Sequence, residues 1–258
     1  MAMNLSSEAE ALAEKLGALG FERVRRAIAA LPLSFFGILY VFLALSVPSD
    51  GGWGPALGAL GLTYMVAFFA VVAEWFWGRW FATGIGWSGL MVAIIGFLQL
   101  GWVPVLAVYG GLHLLIVLPL AGKSMAARYD LQEAWRKRYR MDDLGVARLR
   151  KTITRSAASL PSVILWALAP KEPGQGMILG LVTLALALVG LRGLVRLRTW
   201  GWMAVGGSAL VALFGGRLAT GMPLLSVEGP DLAAVFLLAA ALPFALPAVR
   251  FLRRAPGV

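Results

Sequence analysis

The sequence predicts an all-α, polytopic membrane protein with about eight transmembrane helices. Hydrophobic residues make up 60% of the 258-residue chain and charged residues 14%, whereas soluble domains average about 45–50% and about 25%. The apolar residues also form long runs, and a helix needs about 20 such residues to cross the hydrocarbon. Unbroken runs indicate helices, because the strands of a membrane β-barrel show short alternating segments instead.

Eight apolar runs have the length of transmembrane helices. They are residues 31–48, 55–76, 84–100, 104–121, 152–169, 177–195, 200–218 and 232–249. The run 152–169 is the weakest, because Arg155 lies near one end and Pro161 inside it. Seven spans are therefore the alternative count.

The basic residues predict the orientation of these spans. With eight spans and a cytoplasmic N-terminus, 21 of the 23 lysines and arginines fall on the cytoplasmic side, the exceptions being Lys171 and Arg217. Basic residues accumulate in cytoplasmic loops during membrane insertion. We therefore expect a cell inner membrane protein with both termini in the cytoplasm, and we read the net charge of +10 as attraction to anionic headgroups.

Two polar segments flank the first four spans. Residues 1–30 place leucines at helical spacing among four glutamates, which predicts a cytoplasmic amphipathic helix ahead of the membrane segment at Pro32 rather than a cleaved signal peptide. Residues 122–151 form a basic connector, predicted to lie in the headgroup layer. Its proposed lipid or partner surface comprises Arg128, Trp135, Arg136, Lys137, Arg138, Tyr139 and Arg140. Nucleic-acid binding is the less favoured interpretation of this pattern, since the connector joins two spans.

The two halves of the membrane region resemble each other. At an offset of 122 residues, nine identities occur in 37 ungapped positions, among them Trp80 and Trp202. Each half has four spans, an even number, so both halves enter the membrane with the same orientation. Halves 31–121 and 152–258 would therefore form a parallel 4+4 repeat. Shared composition of two helical hairpins is the alternative explanation.

Glycines are the predicted packing residues between spans, because a missing side chain lets two helices approach closely. The positions chosen are Gly54, Gly58, Gly84, Gly86, Gly89, Gly176 and Gly180. The stretch from Gly84 to Gly89 also matches a dinucleotide-binding fingerprint. It opens an apolar span and follows no strand, so we interpret it as a packing face.

Polar groups inside the hydrocarbon are costly and are therefore functional candidates. Those in or near the predicted spans are His113, Gln99, Tyr64, Tyr109, Glu74 and Arg217. Glu74 and Arg217 are expected to reach the interface. His113 needs a partner, for which Tyr64 and Gln99 are the candidates, and a substrate or proton site is the alternative.

The composition also limits the kinds of metal site and catalytic site that the chain can form. Without cysteine and with one histidine, the chain lacks disulfides, thiolate metal sites and polyhistidine centres. No metal or cofactor is expected. The stretch from Gly86 to Gly89, with Ser88 followed by His113 on the next span, resembles the serine–histidine pair of rhomboid proteases. Rhomboids place an additional span between the two residues and carry an intramembrane His–Asn pair that is missing here, so the chain departs from that pattern.

These observations favour a non-enzymatic component of the membrane. It would be a passive or lipid-type transporter, or the membrane subunit of an export or envelope complex with a cytoplasmic or envelope protein partner. An intramembrane enzyme that uses His113 and Ser88 is one alternative. A structural or signalling scaffold that acts through the basic connector is another.

Overall fold

A computed structural model describes residues 2–47, 52–130, 132, 133–139, 142–170, 177–196, 198, 200–220 and 234–245. The side chains of residues 2–19, 133, 138–139 and 215–220 are outside this description. All regular elements within the described residues are helices. They are α1 Ala2–Ser46, α2 Gly54–Val72, α3 Gly78–Leu100, α4 Pro104–Leu120, α5 Lys123–Asp130, α6 Glu133–Tyr139, α7 Asp143–Leu168, α8 Met177–Val195, α9 Trp200–Thr220 and α10 Ala234–Ala245.

The apolar composition takes the form of helices that suit a bilayer. Four of the described helical segments, Gly20–Ser46 of α1, α2, α3 and α8, are long and apolar enough to cross a membrane. A fifth span results if α4 and α5, which meet at 72°, are counted together. Large side chains such as Leu45 and Leu98 are more than 80% exposed on the bundle surface, as expected where lipid is the solvent. The prediction of an all-helical membrane protein is therefore confirmed.

The eight predicted runs all overlap helices, but α7, α9 and α10 do not meet the same criterion, and α4 meets it only together with α5. Within the described residues, α9 and α10 contribute shorter apolar segments, Trp200–Phe214 and Ala234–Ala245. Helix α7 begins among charged residues that include Arg148, Arg150 and Lys151. The count of eight spans stays a prediction.

Two predicted boundaries fall inside helices. Helix α1 continues through Pro32 without ending, because a proline within a membrane helix removes one backbone hydrogen bond while its neighbours are kept. The boundary at residues 30 and 31 is therefore not a break in structure. Likewise α7 passes through residues 151 and 152, so the connector and the fifth predicted run share one helix.

The bundle is built around α3. This helix packs against α4 on one side and α7 on the other, while α1 packs against α2 and α4, and α8 packs against α7 and α9. Trp80 and Ile85 of α3 are fully buried in the core, as are Met125 and Tyr129 of α5 and Ile153 of α7. The connector is thus part of the packed core.

The two ends of the bundle differ. We call the end that carries the α2–α3 turn, the α4–α5 turn, α5 and α6 the basic end. Gly122 has φ +93° at the α4–α5 turn, a conformation that favours glycine and permits the chain to bend toward α5. At the opposite end Gly52 lies close to Pro170, so the α1–α2 and α7–α8 connections meet there.

Candidate functional site

A polar and aromatic cluster lies inside the bundle around His113, whose side chain is fully buried. The Nδ1–H group donates to the carbonyl oxygen of Tyr109, one turn earlier in α4, at 2.8 Å. The Tyr64 hydroxyl of α2 lies 2.7 Å from Nε2 and donates to it in the neutral imidazole. Both ring nitrogens are therefore used, and the second bond joins α2 to α4. Of the two partners considered from the sequence, the structure selects Tyr64; Gln99 is exposed near the end of α3.

Close packing fixes the orientation of this imidazole. Phe36 of α1 lies 4.5 Å from the His113 ring between centroids, and the Tyr109 ring lies 4.2 Å away. A Cβ atom on Gly89 would overlap the imidazole. Position 89 must therefore be glycine, because a side chain there would overlap the His113 ring.

The structure does not pair Ser88 with His113. Ser88 is buried on α3, but the partners of the imidazole within the described residues are Tyr64 and Tyr109. A serine nucleophile needs a base within hydrogen-bond reach. The arrangement is that of a structural hydrogen bond between helices.

A second polar cluster, at the basic end, is centred on Arg79 and Asp130. Both residues are more than 90% buried. The Arg79 guanidinium donates to the two carboxylate oxygens at 2.6 and 3.3 Å and to the Leu120 carbonyl at 3.3 Å. Trp80 Nε1 donates to Asp130 at 2.8 Å, and an Arg150 nitrogen lies 3.6 Å from the same carboxylate. These contacts connect the start of α3, the end of α4, the end of α5 and α7.

Glu74, in the α2–α3 turn, is the centre of a neighbouring ion-pair group. It pairs with Arg26 of α1 and with Arg128 of α5, the latter at 2.8 Å. Its φ of +54° lies in the left-handed region that a residue with a Cβ rarely adopts. The Gln132 side chain donates to the Glu74 carbonyl at 2.9 Å. Glu74 therefore lies in a network of protein contacts, where the sequence led us to expect an extended side chain reaching the interface.

Further hydrogen bonds at the basic end join α1 to the end of α4 and α5 to α2. Arg25 of α1 donates to the Pro119 carbonyl at 3.0 Å and also binds Ala121, which satisfies carbonyls at the end of α4. Burial raises the pKa of the Tyr129 phenol, against the opposing effect of nearby arginines such as Arg26. The protonated hydroxyl donates to the Val71 carbonyl at 2.8 Å.

The connector surface differs from the predicted one. Trp135 is 7% exposed and stacks on Phe76 with ring centroids 4.3 Å apart, so it is a core residue and not a headgroup anchor. Arg128 forms ion pairs with Glu74 and Glu22. Arg136 pairs with Asp143 and Lys137 is exposed. The side chains of Arg138, Tyr139 and Arg140 lie outside the described residues, as does that of Arg217.

Several of the predicted glycines lie at close helix contacts. A Cβ on Gly84 would overlap the Thr154 carbonyl of α7. On Gly86 it would lie 2.6 Å from Val117, and on Gly180 2.9 Å from Ala167. Gly54 and Gly58 have more room, with Ala44 atoms at 3.4 and 3.8 Å. Gly176 lies outside the described residues.

An apolar groove of about 430 Å³ opens on the side of the bundle between α2, α3, α7 and α8. This volume falls within the range of about 300–1,000 Å³ that is usual for small-molecule sites. Its wall is formed by apolar side chains that include Leu62, Val66, Leu160, Ile164, Leu184 and Leu188. At the basic end the groove reaches Trp77, Phe81 and Arg192. Thr63 also lines it, but its hydroxyl donates to the Ala59 carbonyl within α2 at 2.8 Å.

Sequence reasoning missed the groove and the Arg79–Asp130 pair. Asp130 is an acidic residue in a strongly basic connector and follows an aromatic residue. This is the one local sign that it has a structural role. The groove has no local sign, because its wall is assembled from four helices.

No protein-family model, curated protein or solved structure matches this chain. The fold and the site define the class of protein: it is a helical, membrane-embedded protein with several long apolar helices.

Proposed function

We propose that this chain is a non-enzymatic, transporter-like component of the cytoplasmic membrane that handles lipid. The observation that carries the proposal is the lateral groove, which is apolar along its length and opens on the side of the bundle. A substrate that enters such a groove from the bilayer has to be largely apolar itself, since leaving polar groups unpaired there is costly.

The state of the intramembrane polar groups supports a passive rather than an ion-coupled activity. Ion-coupled carriers place ionisable groups where a proton or ion binds in mid-membrane. Here both ring nitrogens of His113 are hydrogen-bonded, one to the Tyr64 hydroxyl and the other to the Tyr109 carbonyl oxygen. It links helices and lies on α4, whereas the groove is lined by α2, α3, α7 and α8.

Lipid movement between leaflets tests this proposal. The purified chain is reconstituted into vesicles that contain a fluorescent phospholipid, and dithionite is added to bleach the outer leaflet. We expect the protein to move the probe from the inner to the outer leaflet, where dithionite bleaches it. Leu188→Trp, which fills the groove from an exposed position on α8, should slow this phase. Leu98→Trp, also exposed but outside the groove, is the matched control. No acceleration by the folded wild-type protein would refute lipid transport.

The proposed topology has eight spans and places the basic end in the cytoplasm. It is supported by the eight apolar runs that overlap helices and by the basic residues collected at that end. Because the chain has no cysteine, single cysteines report their side without background. An impermeant maleimide applied to spheroplasts should label Gly101→Cys and leave Ser6→Cys and Ala255→Cys unlabelled. Labelling at only one of the two termini would require an odd number of spans.

The duplication of the halves is part of this proposal. The first residue of α3, Gly78, corresponds at the offset of 122 to Trp200, the first residue of α9, and Gly54 of α2 corresponds to a position directly before α8. The two equivalent turns also meet, since Gly52 lies against Pro170. A groove between α2 and α8 would then lie between equivalent helices of the two halves.

A membrane subunit that docks a protein partner is the second candidate. A wide groove of about 600 Å³ at the basic end is lined by Trp75, Phe76, Trp77 and Trp135 among others, and aromatic residues are enriched at protein interfaces. Deleting the connector would not test this role, since α5 and α7 belong to the core. Trp75→Ala alters an exposed side chain instead, with Trp102→Ala as the exposed control. Selective loss of one copurifying protein with Trp75→Ala would favour docking, and identical recovery would count against it.

The enzyme alternative predicts a different result. If Ser88 and His113 act as nucleophile and base, Ser88→Ala abolishes activity without affecting folding. With the imidazole occupied by Tyr64 and Tyr109, we expect Ser88→Ala to retain in vivo function at normal protein level. Loss of function at normal level would restore the enzyme hypothesis.

A further inference from the structure

We propose that the lateral groove is a site for one anionic phospholipid, with the headgroup phosphate at Arg192 and the acyl chains along the apolar wall. This inference rests on the proposed lipid function for its physiological meaning, but it concerns binding and is tested as binding.

The length of the groove fits one leaflet. On α8 its wall runs from Leu184 to Val195, and on α2 it reaches Ala59, 13 residues before the end of that helix. At about 1.5 Å per residue these lengths are about 17–20 Å, somewhat more than half of a hydrocarbon core of about 30 Å. A phospholipid whose chains fill the groove would therefore place its headgroup at the basic end.

At that same end the apolar lining meets a tryptophan and an arginine. Trp77 and Arg192 lie there, whereas the residues that line the groove farther along α8 are leucines. Tryptophan is enriched at the level of the headgroups in membrane proteins. A basic side chain at this depth binds phosphate and is stabilised by it. Among the described residues, the lining includes one charged residue, Arg192, and no acidic one, so the charge of the site is complementary to an anion.

Arg192 differs from the arginines of the neighbouring ion-pair networks. Arg26, Arg79 and Arg128 have carboxylate partners in the protein. The exposed side chain of Arg192 has no ion pair or hydrogen bond with any residue within the described part of the chain. Its guanidinium is thus available to a phosphate, which it matches in geometry. A phospholipid is the occupant we commit to, because free phosphate would leave the apolar wall exposed.

Native mass spectrometry of the full chain tests the site. The protein is released from detergent after incubation with phosphatidylglycerol or phosphatidylethanolamine, and the lipid-bound fraction is measured. We expect preferential retention of phosphatidylglycerol. Arg192→Gln should weaken that retention about fivefold, the equivalent of about 1 kcal/mol for one arginine near an anionic surface, and should leave phosphatidylethanolamine unchanged.

The controls separate the site from general attraction of anionic lipid. Arg198→Gln removes an exposed charge six residues farther on and outside the groove lining, and it should preserve the preference. Leu188→Trp should reduce retention of both lipids, whereas Leu98→Trp should not. Inorganic phosphate should fail to displace phosphatidylglycerol. Equal retention of the two lipids, an equal effect of Arg198→Gln, or displacement by phosphate would each overturn the proposal.

The binding result and the transport result are independent. Preserved phosphatidylglycerol selectivity in a protein that fails to move lipid would sustain the site and remove the proposed function. Lipid movement without headgroup selectivity would sustain the proposed function and overturn the site.

Discussion

The carboxylate of Asp130 receives the Arg79 guanidinium in a bidentate contact, at 2.6 and 3.3 Å, although the two residues are 51 positions apart in the chain. Both are buried, and Trp80 donates to the same carboxylate. The pair therefore joins the connector to the first turn of the central helix α3. The net stability that a buried ion pair contributes is small, because desolvation offsets much of the attraction.

Removing one member of this pair should be strongly destabilising. Asp130→Asn leaves the buried Arg79 without its counter-ion, and we expect a loss of about 3–5 kcal/mol. The midpoint of thermal aggregation in detergent, followed by size-exclusion chromatography, measures the change. Asp143→Asn is the control, since its carboxylate is 92% exposed and its pair with Arg136 should contribute less than about 1 kcal/mol. Equal midpoints for the two variants would contradict the central role of Asp130.

The interhelical hydrogen bond of His113 should have a smaller effect. Tyr64→Phe removes the donor to Nε2, and hydrogen bonds between membrane helices contribute about 0.6–1.7 kcal/mol. We expect a modest decrease in thermal stability. Gln99→Leu, at the exposed end of α3, should have no effect. The bond assignment would be wrong if Gln99→Leu destabilised more than Tyr64→Phe.

The glycine beside the imidazole offers a sharper comparison. Gly89→Ala places a methyl group where the His113 ring lies, so the ring must move and its bond to Tyr64 must lengthen or break. Overpacking of this kind costs typically about 1–3 kcal/mol.

Gly111→Ala is the matched control for that change. Its Cβ would meet no described atom within 4 Å, and alanine is favoured over glycine in a helix by up to about 1 kcal/mol. Thermal midpoints should therefore move in opposite directions, down for Gly89→Ala and up for Gly111→Ala. A decrease of equal size in both would mean that glycine is needed generally rather than beside His113.

Glu74 combines unusual backbone geometry with two ion pairs. Glu74→Gln keeps the shape but removes the charge that Arg26 and Arg128 share, and we expect it to be destabilising. Glu74→Gly loses the same pairs but relieves the cost of a positive φ, of order 1–3 kcal/mol. The glycine variant should therefore be at least as stable as the glutamine variant in the same thermal assay. The reverse order would show that the side-chain packing of residue 74 outweighs its backbone strain.

The sequence by itself determined the helical, membrane-embedded character of this protein and the positions of its apolar helices. Residues 177–195 were predicted to the residue, because an apolar run between turn residues is a local property. The requirement that His113 have a partner also followed from composition, since a lone imidazole in hydrocarbon must be satisfied.

Only the tertiary structure decided which distant groups meet. Trp135 and Glu74 have the local pattern of interfacial side chains, yet one lies in the core and the other joins two arginines. Periodicity specifies the face of a helix on which a residue lies but not the partner opposite that face. The Arg79–Asp130 pair and the four-helix groove at Arg192 depend on how the helices pack, so their existence follows from the assembled bundle and not from any one segment.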